Sequence, residues 1–116
     1  MKRVVPRKFT RKLYLGNVLI RPLAGGSAFS ASALNLSRAG MGLFSSRFLG
    51  VGQPVELLLR GRADGSRAAG HRFQGRVAHA CVESDGNVLG VSFATILSVE
   101  EMQALEANLG IKAATV

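Results

Sequence analysis

A chain of 116 residues has room for one domain of ordinary size and none for a second. Hydrophobic residues make up 47% of it, enough for a core. No unbroken apolar run approaches the ~20 residues of a membrane-crossing helix, and the first residues lack the apolar stretch and cleavage site of a secretory leader. Membrane insertion and export are therefore not expected, and the chain is assigned to the cytoplasm. Its 15 lysines and arginines against 7 acidic residues give a formal net charge of +8 and a pI near 11.1. That balance favours an anionic partner without choosing between nucleic acid, a membrane surface and a phosphorylated small molecule.

The charge is unevenly spread. Lys2, Arg3, Arg7, Lys8, Arg11 and Lys12 precede the first acidic residue, Glu56. Residues 1–11 show no strand alternation and repel one another, so they are expected to form a flexible basic arm. Short apolar alternations follow, broken at Gly25-Gly26, Gly50 to Pro54, Asp64-Gly65 and Asp85-Gly86. These breaks predict strands near Lys12–Arg21, Ala28–Leu36, Gly42–Arg47, Val55–Arg60, His71–Val82 and Val88–Ala94, the pattern of an all-β sandwich or barrel. In the first strand both faces are apolar, with Leu13, Leu15 and Leu19 on one parity and Tyr14, Val18 and Ile20 on the other. In the fifth, Phe73, Val77 and Cys81 alternate with Arg72, Gln74, Arg76 and Ala80, which makes the first set the core face. Phe48, Phe73 and Phe93 are expected in the core.

Cys81 is the only cysteine, so an internal disulfide is excluded. With only His71 and His79 for company it makes no metal site, and a buried structural thiol is expected. The polar stretch Arg62–Ala69 is expected to be a loop. At the end of the chain the period changes: Ser98 and Glu101 form a capping box, and Val99, Met102, Leu105, Glu106 and Leu109 follow at helical spacing before Gly110. A helix from Val99 to Leu109, packed on the body of the domain, is predicted.

Two motifs carry chemistry. Arg7-Lys8-Phe9-Thr10-Arg11 puts two guanidinium forks on a short arm just ahead of the first strand. Asn35-Leu36-Ser37-Arg38-Ala39-Gly40, with Gly42 close behind, joins the second strand to the third. Asn and Ser side chains fold onto nearby backbone groups, and Gly40 is expected to supply the positive φ of a tight turn. Polar side chains would then point outward from one end of the barrel.

In these residues the chain resembles the PilZ family of bacterial cyclic di-GMP receptors, whose signatures are RxxxR and [DN]xSxxG. Leu43, the run Leu89-Gly90-Val91-Ser92-Phe93 and the closing helix extend the resemblance over nearly the whole chain. It implies one PilZ domain over residues 1–116: an arm at 1–11, a six-stranded antiparallel β-barrel at 12–97 and a C-terminal helix at 98–110. It implies that Arg7 and Arg11 grip phosphates and guanine while Asn35, Ser37 and Gly40 line the opposing side. Lys8 and Arg38 are secondary candidates. Independently, guanine O6 and N7 suit an arginine fork, as phosphodiesters do. Pro6 stands where many family members carry Arg or Leu, which leaves one bound ligand and an intercalated pair both open, with Lys8 or Arg3 as the substitute charge. No cofactor is implied beyond the ligand, and a downstream protein partner of unread identity is.

Two other readings compete. A nucleic-acid-binding barrel fits the pI and the basic arm, but with no Trp and one Tyr the chain has few rings on which bases could stack. A PilZ-like adaptor without ligand would act only through protein contacts, and intact motifs weigh against it. Catalysis has no support: Ser37 is not in a Gly-x-Ser-x-Gly elbow, and no phosphate-binding glycine loop or carboxylate pair is present.

Overall fold

A computed structural model of the protein describes residues 12–59 and 70–109. Six antiparallel strands, β1 (Lys12–Pro22), β2 (Phe29–Leu36), β3 (Gly40–Ser45), β4 (Pro54–Leu59), β5 (His71–Val82) and β6 (Asn87–Phe93), precede one helix, α1 (Val99–Leu109). They close into a barrel in the order β1-β2-β3-β6-β5-β4. Every strand predicted from the alternation is present, with ends moved by one or two residues. The basic arm, with Arg7, Lys8 and Arg11, and the whole of the expected 62–69 loop lie outside the described residues.

Closure removes sheet edges, so each strand has one face toward the core and one outward. On β1 the core face is that of Val18 and Ile20, both buried. Leu36, Met41, Leu43, Leu57, Leu59, Val77, Leu89 and Val91 complete the interior, and Leu97, Met102 and Leu105 join the same cluster. Phe73 and Phe93 stack with ring centroids 5.0 Å apart. The capping box forms as predicted: Ser98 Oγ accepts the Glu101 N–H at 3.1 Å, and Glu101 Oε1 accepts the Ser98 N–H at 3.0 Å. The Ser98 backbone N–H and, after it, the Ser98 side chain hydrogen-bond the Glu101 carboxyl and hold it below its ordinary pKa. Within the helix, Met102 and Leu105 are buried, whereas Val99, placed on the stripe by periodicity, is 50% exposed.

Two aromatic and thiol expectations are corrected. Phe48 is 56% exposed in the loop after β3, where its neighbour Leu49 is the buried residue. Cys81 is exposed. The cause is a register shift in β5 between Val77 and His79. Such a bulge spends one extra residue, so the parity that turns Phe73 and Val77 inward is reversed beyond it. Ala80 then packs against the core and Cys81 faces out.

Since Cys81 is the only thiol in the chain, its placement is directly measurable. The native protein should react with one equivalent of an aromatic disulfide reagent at nearly the rate seen in denaturant. Cys81→Ser should change stability by less than about 0.5 kcal/mol, as surface substitutions do. A thiol silent until unfolding would contradict the bulge.

Candidate ligand-binding site

The connection between β2 and β3 is a turn that satisfies itself. The Gly40 carbonyl accepts the Ser37 N–H at 2.8 Å and the Ser37 hydroxyl at 3.3 Å. Ser37 Oγ in turn accepts the Ala39 N–H at 3.2 Å. Ser37 is thereby only 4% exposed, and its hydroxyl is committed to the turn. Asn35 sits two residues back, on β2, where Oδ1 accepts the Gly42 N–H of the neighbouring strand at 3.1 Å. The structure thus brings Asn35, Ser37, Arg38 and Gly40 together at one end of the barrel.

Gly40 fills its place for a reason other than the one expected. Positive φ occurs at Gly25, Gly26 and Gly52 among the described residues, and Gly40 is not one of them. A Cβ there would instead collide with the Val91 carbonyl oxygen of β6 and lie 3.3 Å from the Ser92 Cα. Gly42 meets the same kind of limit, since its Cβ would fall 2.9 Å from Asn35 Nδ2. The asparagine side chain lies over bare backbone that only glycine leaves open.

Arg38 is fastened to the segment that leads into α1. Its Nε donates to the Leu97 carbonyl at 2.7 Å, and its own carbonyl accepts the Leu97 N–H at 2.8 Å. Beside it, the Ala39 carbonyl accepts the Phe93 N–H at 2.8 Å. The turn is therefore tied to the end of β6 and to the start of the helix as well as to its own hairpin.

The chain enters β1 at the same end of the barrel. Lys12 is the register partner of Leu36, and Leu13 that of Asn35. A separate cleft of about 350 Å³ opens on the outer face of β4, β5 and β6, where Gln74, Arg76 and Ser92 are its polar lining. Arg76 is held there by an Nη1 bond to the Gly52 carbonyl at 2.9 Å. None of the turn residues Asn35, Ser37, Arg38 and Gly40 lines it. Among the described residues no group of three His, Cys, Asp or Glu side chains is placed to hold a metal ion, and no helix is long and apolar enough to cross a membrane.

The family model for the PilZ domain matches residues 6–109. No curated protein matches the chain in sequence. Among solved structures, the Bacillus subtilis inhibitor of motility MotI/DgrA superposes with a TM-score of 0.67 at 17% identity, over 95% of this chain and 51% of its own. The PilZ domain of YcgR from Escherichia coli, solved with c-di-GMP, gives 0.60 at 14% identity over 90% of both chains. The MrkH–c-di-GMP complex from K. pneumonia gives 0.64 at 14% identity, over 90% of this chain and 51% of its own. This chain thus spans about half the length of MotI and MrkH. At these identities the likeness is one of fold.

The turn's bonding makes Ser37 and Gly40 structural in a measurable way. Ser37→Ala removes an acceptor and a donor from a buried turn and should lower stability by about 1–2 kcal/mol. Gly40→Ala should cost a similar amount or more by forcing β3 from β6, at about 1–3 kcal/mol. Thermal melting of both variants tests this, and a melting temperature unchanged in Gly40→Ala would refute the close approach to Val91.

Proposed function

The chain belongs to the PilZ domain family, and from that membership we propose that it is a cyclic di-GMP receptor that acts by binding and signalling, with no catalytic step, in the cytoplasm. The observation that carries the proposal is the register of β1 against β2. Lys12 pairs with Leu36, so β1 begins beside the Asn35–Gly40 turn, and Arg11 is the residue that precedes Lys12 in sequence, with Arg7 four residues before it. A trans peptide step is ~3.8 Å, which keeps Arg11 within one residue of a paired position. YcgR and MrkH, which share this fold, were both solved with c-di-GMP.

On this reading the whole chain works as one PilZ module, with residues 1–11 as its arm. Arg7 and Arg11 meet the two phosphates and the guanine edges through charge-assisted bonds, with Lys8 and Arg38 adding longer-range attraction. Asn35 presents its carboxamide to a base, and Ser37 and Gly40 hold the backbone that carries it. The ligand draws the arm onto the turn, and arm and ligand together form the surface that a downstream protein reads. A nucleic-acid role would need exposed rings, and of the three phenylalanines expected in the core only Phe48 is exposed.

Calorimetry with cyclic di-GMP, with GMP and an oligonucleotide as controls, tests the binding. Arg7→Ala and Arg11→Ala should each lose about 1.5–3 kcal/mol, roughly ten- to hundredfold in Kd. A wild-type chain that ignores cyclic di-GMP would refute the proposal. Amide hydrogen exchange tests the movement: residues 2–12 should slow on addition of ligand. Equal, slow exchange with and without it would mean an arm already docked.

A further inference from the structure

We propose that the outward face of β1, β4 and β5 is a docking surface for an acidic, extended segment of a partner protein, gripped by Arg21, Arg72 and Arg76. The proposal rests on the barrel alone, apart from the arm and the Asn35–Gly40 turn, and stands whether or not the chain binds cyclic di-GMP.

The strand register sets these residues side by side. Arg21 of β1 pairs with Glu56 of β4, and Glu56 pairs with Gln74 of β5. The next outward row holds Leu19, Leu58 and Arg72, and on the other side Pro54 pairs with Arg76. Ile20, Leu57 and Phe73 lie between the first two rows and pack into the core, as Val55 does beyond them, so these three rows face out. Three of the five arginines among the described residues stand on this face. Glu56 is its one acidic member among them. The remaining described carboxylates lie elsewhere, Glu83 and Asp85 in the β5–β6 hairpin and Glu100, Glu101 and Glu106 on α1.

Glu56 aims the charge without cancelling it. Arg21 Nε and Nη2 reach its Oε1 at 3.2 and 3.0 Å, and Arg72 Nη1 lies 3.7 Å from the same oxygen. The Glu56 side chain is only 15% exposed, whereas those of Arg21 and Arg72 are 55% and 69% exposed. Solvent therefore meets two guanidinium groups over a covered carboxylate, with one positive charge left over. Arg76 is held as well, by its Nη1 bond to the Gly52 carbonyl, which draws it toward the loop ahead of β4. Exposed ion pairs add little to stability. Their effect here is positional: three long side chains are ordered before a partner arrives, which removes part of the entropy cost of binding.

The chemistry of the partner follows from the face. A carboxylate accepts two parallel bonds from a guanidinium fork. Arg72 and Arg76 stand four residues apart on one strand, ~13 Å, which is the spacing of every second same-face side chain in an extended segment laid along it. Leu19 and Leu58 are half-buried between the charges. Beside Arg76 the cleft of about 350 Å³, with Leu23, Pro54 and Phe93 in its lining, admits an apolar side chain. The phosphates of a nucleic acid would meet Glu56, and no exposed ring among the described residues of this face offers a base a stacking platform. A second copy of the chain is opposed by a formal net charge of +8 on each.

The test is NMR of the full chain, without cyclic di-GMP, titrated with a peptide of repeated Glu-Leu-Glu-Thr. A Lys-Leu-Lys-Thr peptide and a single-stranded oligonucleotide serve as comparisons. The acidic peptide should shift the amides of Glu56, Leu58, Arg72 and Gln74, the lysine peptide should not, and affinity should fall with added salt. Arg72→Ala should weaken binding about tenfold at an unchanged melting temperature, the loss of one charge-assisted pair. Arg47→Ala removes the same charge from the loop after β3 and should bind like the wild type. Equal weakening by the two variants would mean that net charge alone attracts the peptide, and the proposal would fall. It would fall too if the peptide bound elsewhere or not at all, or if the oligonucleotide bound this face as tightly. Shifts of the same amides on raising protein concentration alone would assign the face to a second copy and overturn it as well.

Discussion

Closing six antiparallel strands into a barrel fixes which residue stands opposite which, and a slip of one residue reverses every side chain beyond it. The ladder here gives way at three places, in β1 between Leu13 and Gly16, in β2 between Ala33 and Asn35, and in β5 between Val77 and His79. Between those points the pairing is regular and the core is continuous. The outward face of β2, β3, β6 and β5 follows from where the ladder slips: it is why Cys81 meets solvent, why Ala80 packs inward, and why Asn35 lies over Gly42. The row Asn35–Gly42–Gly90–His79 is a consequence of closure, because only a fixed register brings residues so far apart in sequence together.

Crowding at β6 supplies the second constraint. Gly40 on one neighbouring strand and Gly75 on the other both lie where a Cβ would strike a β6 carbonyl, of Val91 and Ser92 respectively. The strand is gripped from both sides at the point where it hands on to α1. The turn is fixed to the same point through Ala39 to Phe93 and through Arg38 to Leu97. A turn whose buried polar groups are mutually satisfied and whose backbone is tied to three elements has little conformational freedom left to lose on binding.

Much of this is legible in the order of the amino acids. Period-2 alternation between glycine-containing breaks marks each strand, and the Ser98–Glu101 spacing marks the helix start by a mechanism that the structure reproduces bond for bond. The joined motifs RxxxR and [DN]xSxxG point to the family. What is not legible depends on contacts distant in sequence. Counting parity along β5 places Cys81 with Phe73 and Val77, because a bulge has no marker in residue type: Ala78 looks like any strand residue. Gly40 suggests a turn with positive φ when viewed alone, and only the β6 backbone pressed against it shows that space is the limit. The motif alone does not show that the Ser37 hydroxyl bonds within the turn, to the Gly40 carbonyl and the Ala39 N–H.

On the proposed function these placements would divide the work of recognition. Asn35 and Ser37 carry no charge, and Arg38, the one cation in the motif, spends its Nε on the Leu97 carbonyl. A wall of this kind can discriminate among bases by the pattern of donors and acceptors it offers, because a base that leaves them unpaired forfeits their hydrogen bonds. It provides little to neutralise two phosphodiesters. In the proposed cyclic di-GMP receptor that task would fall to Arg7 and Arg11, since attraction between charges acts at longer range and weakens with salt. Selectivity would then reside in the rigid barrel, where geometry is held by closure, and much of the affinity in the arm. On the proposed reading the two could be varied independently: a change at Asn35 would alter which base is accepted, and a change in the arm would alter how tightly any dianion is held.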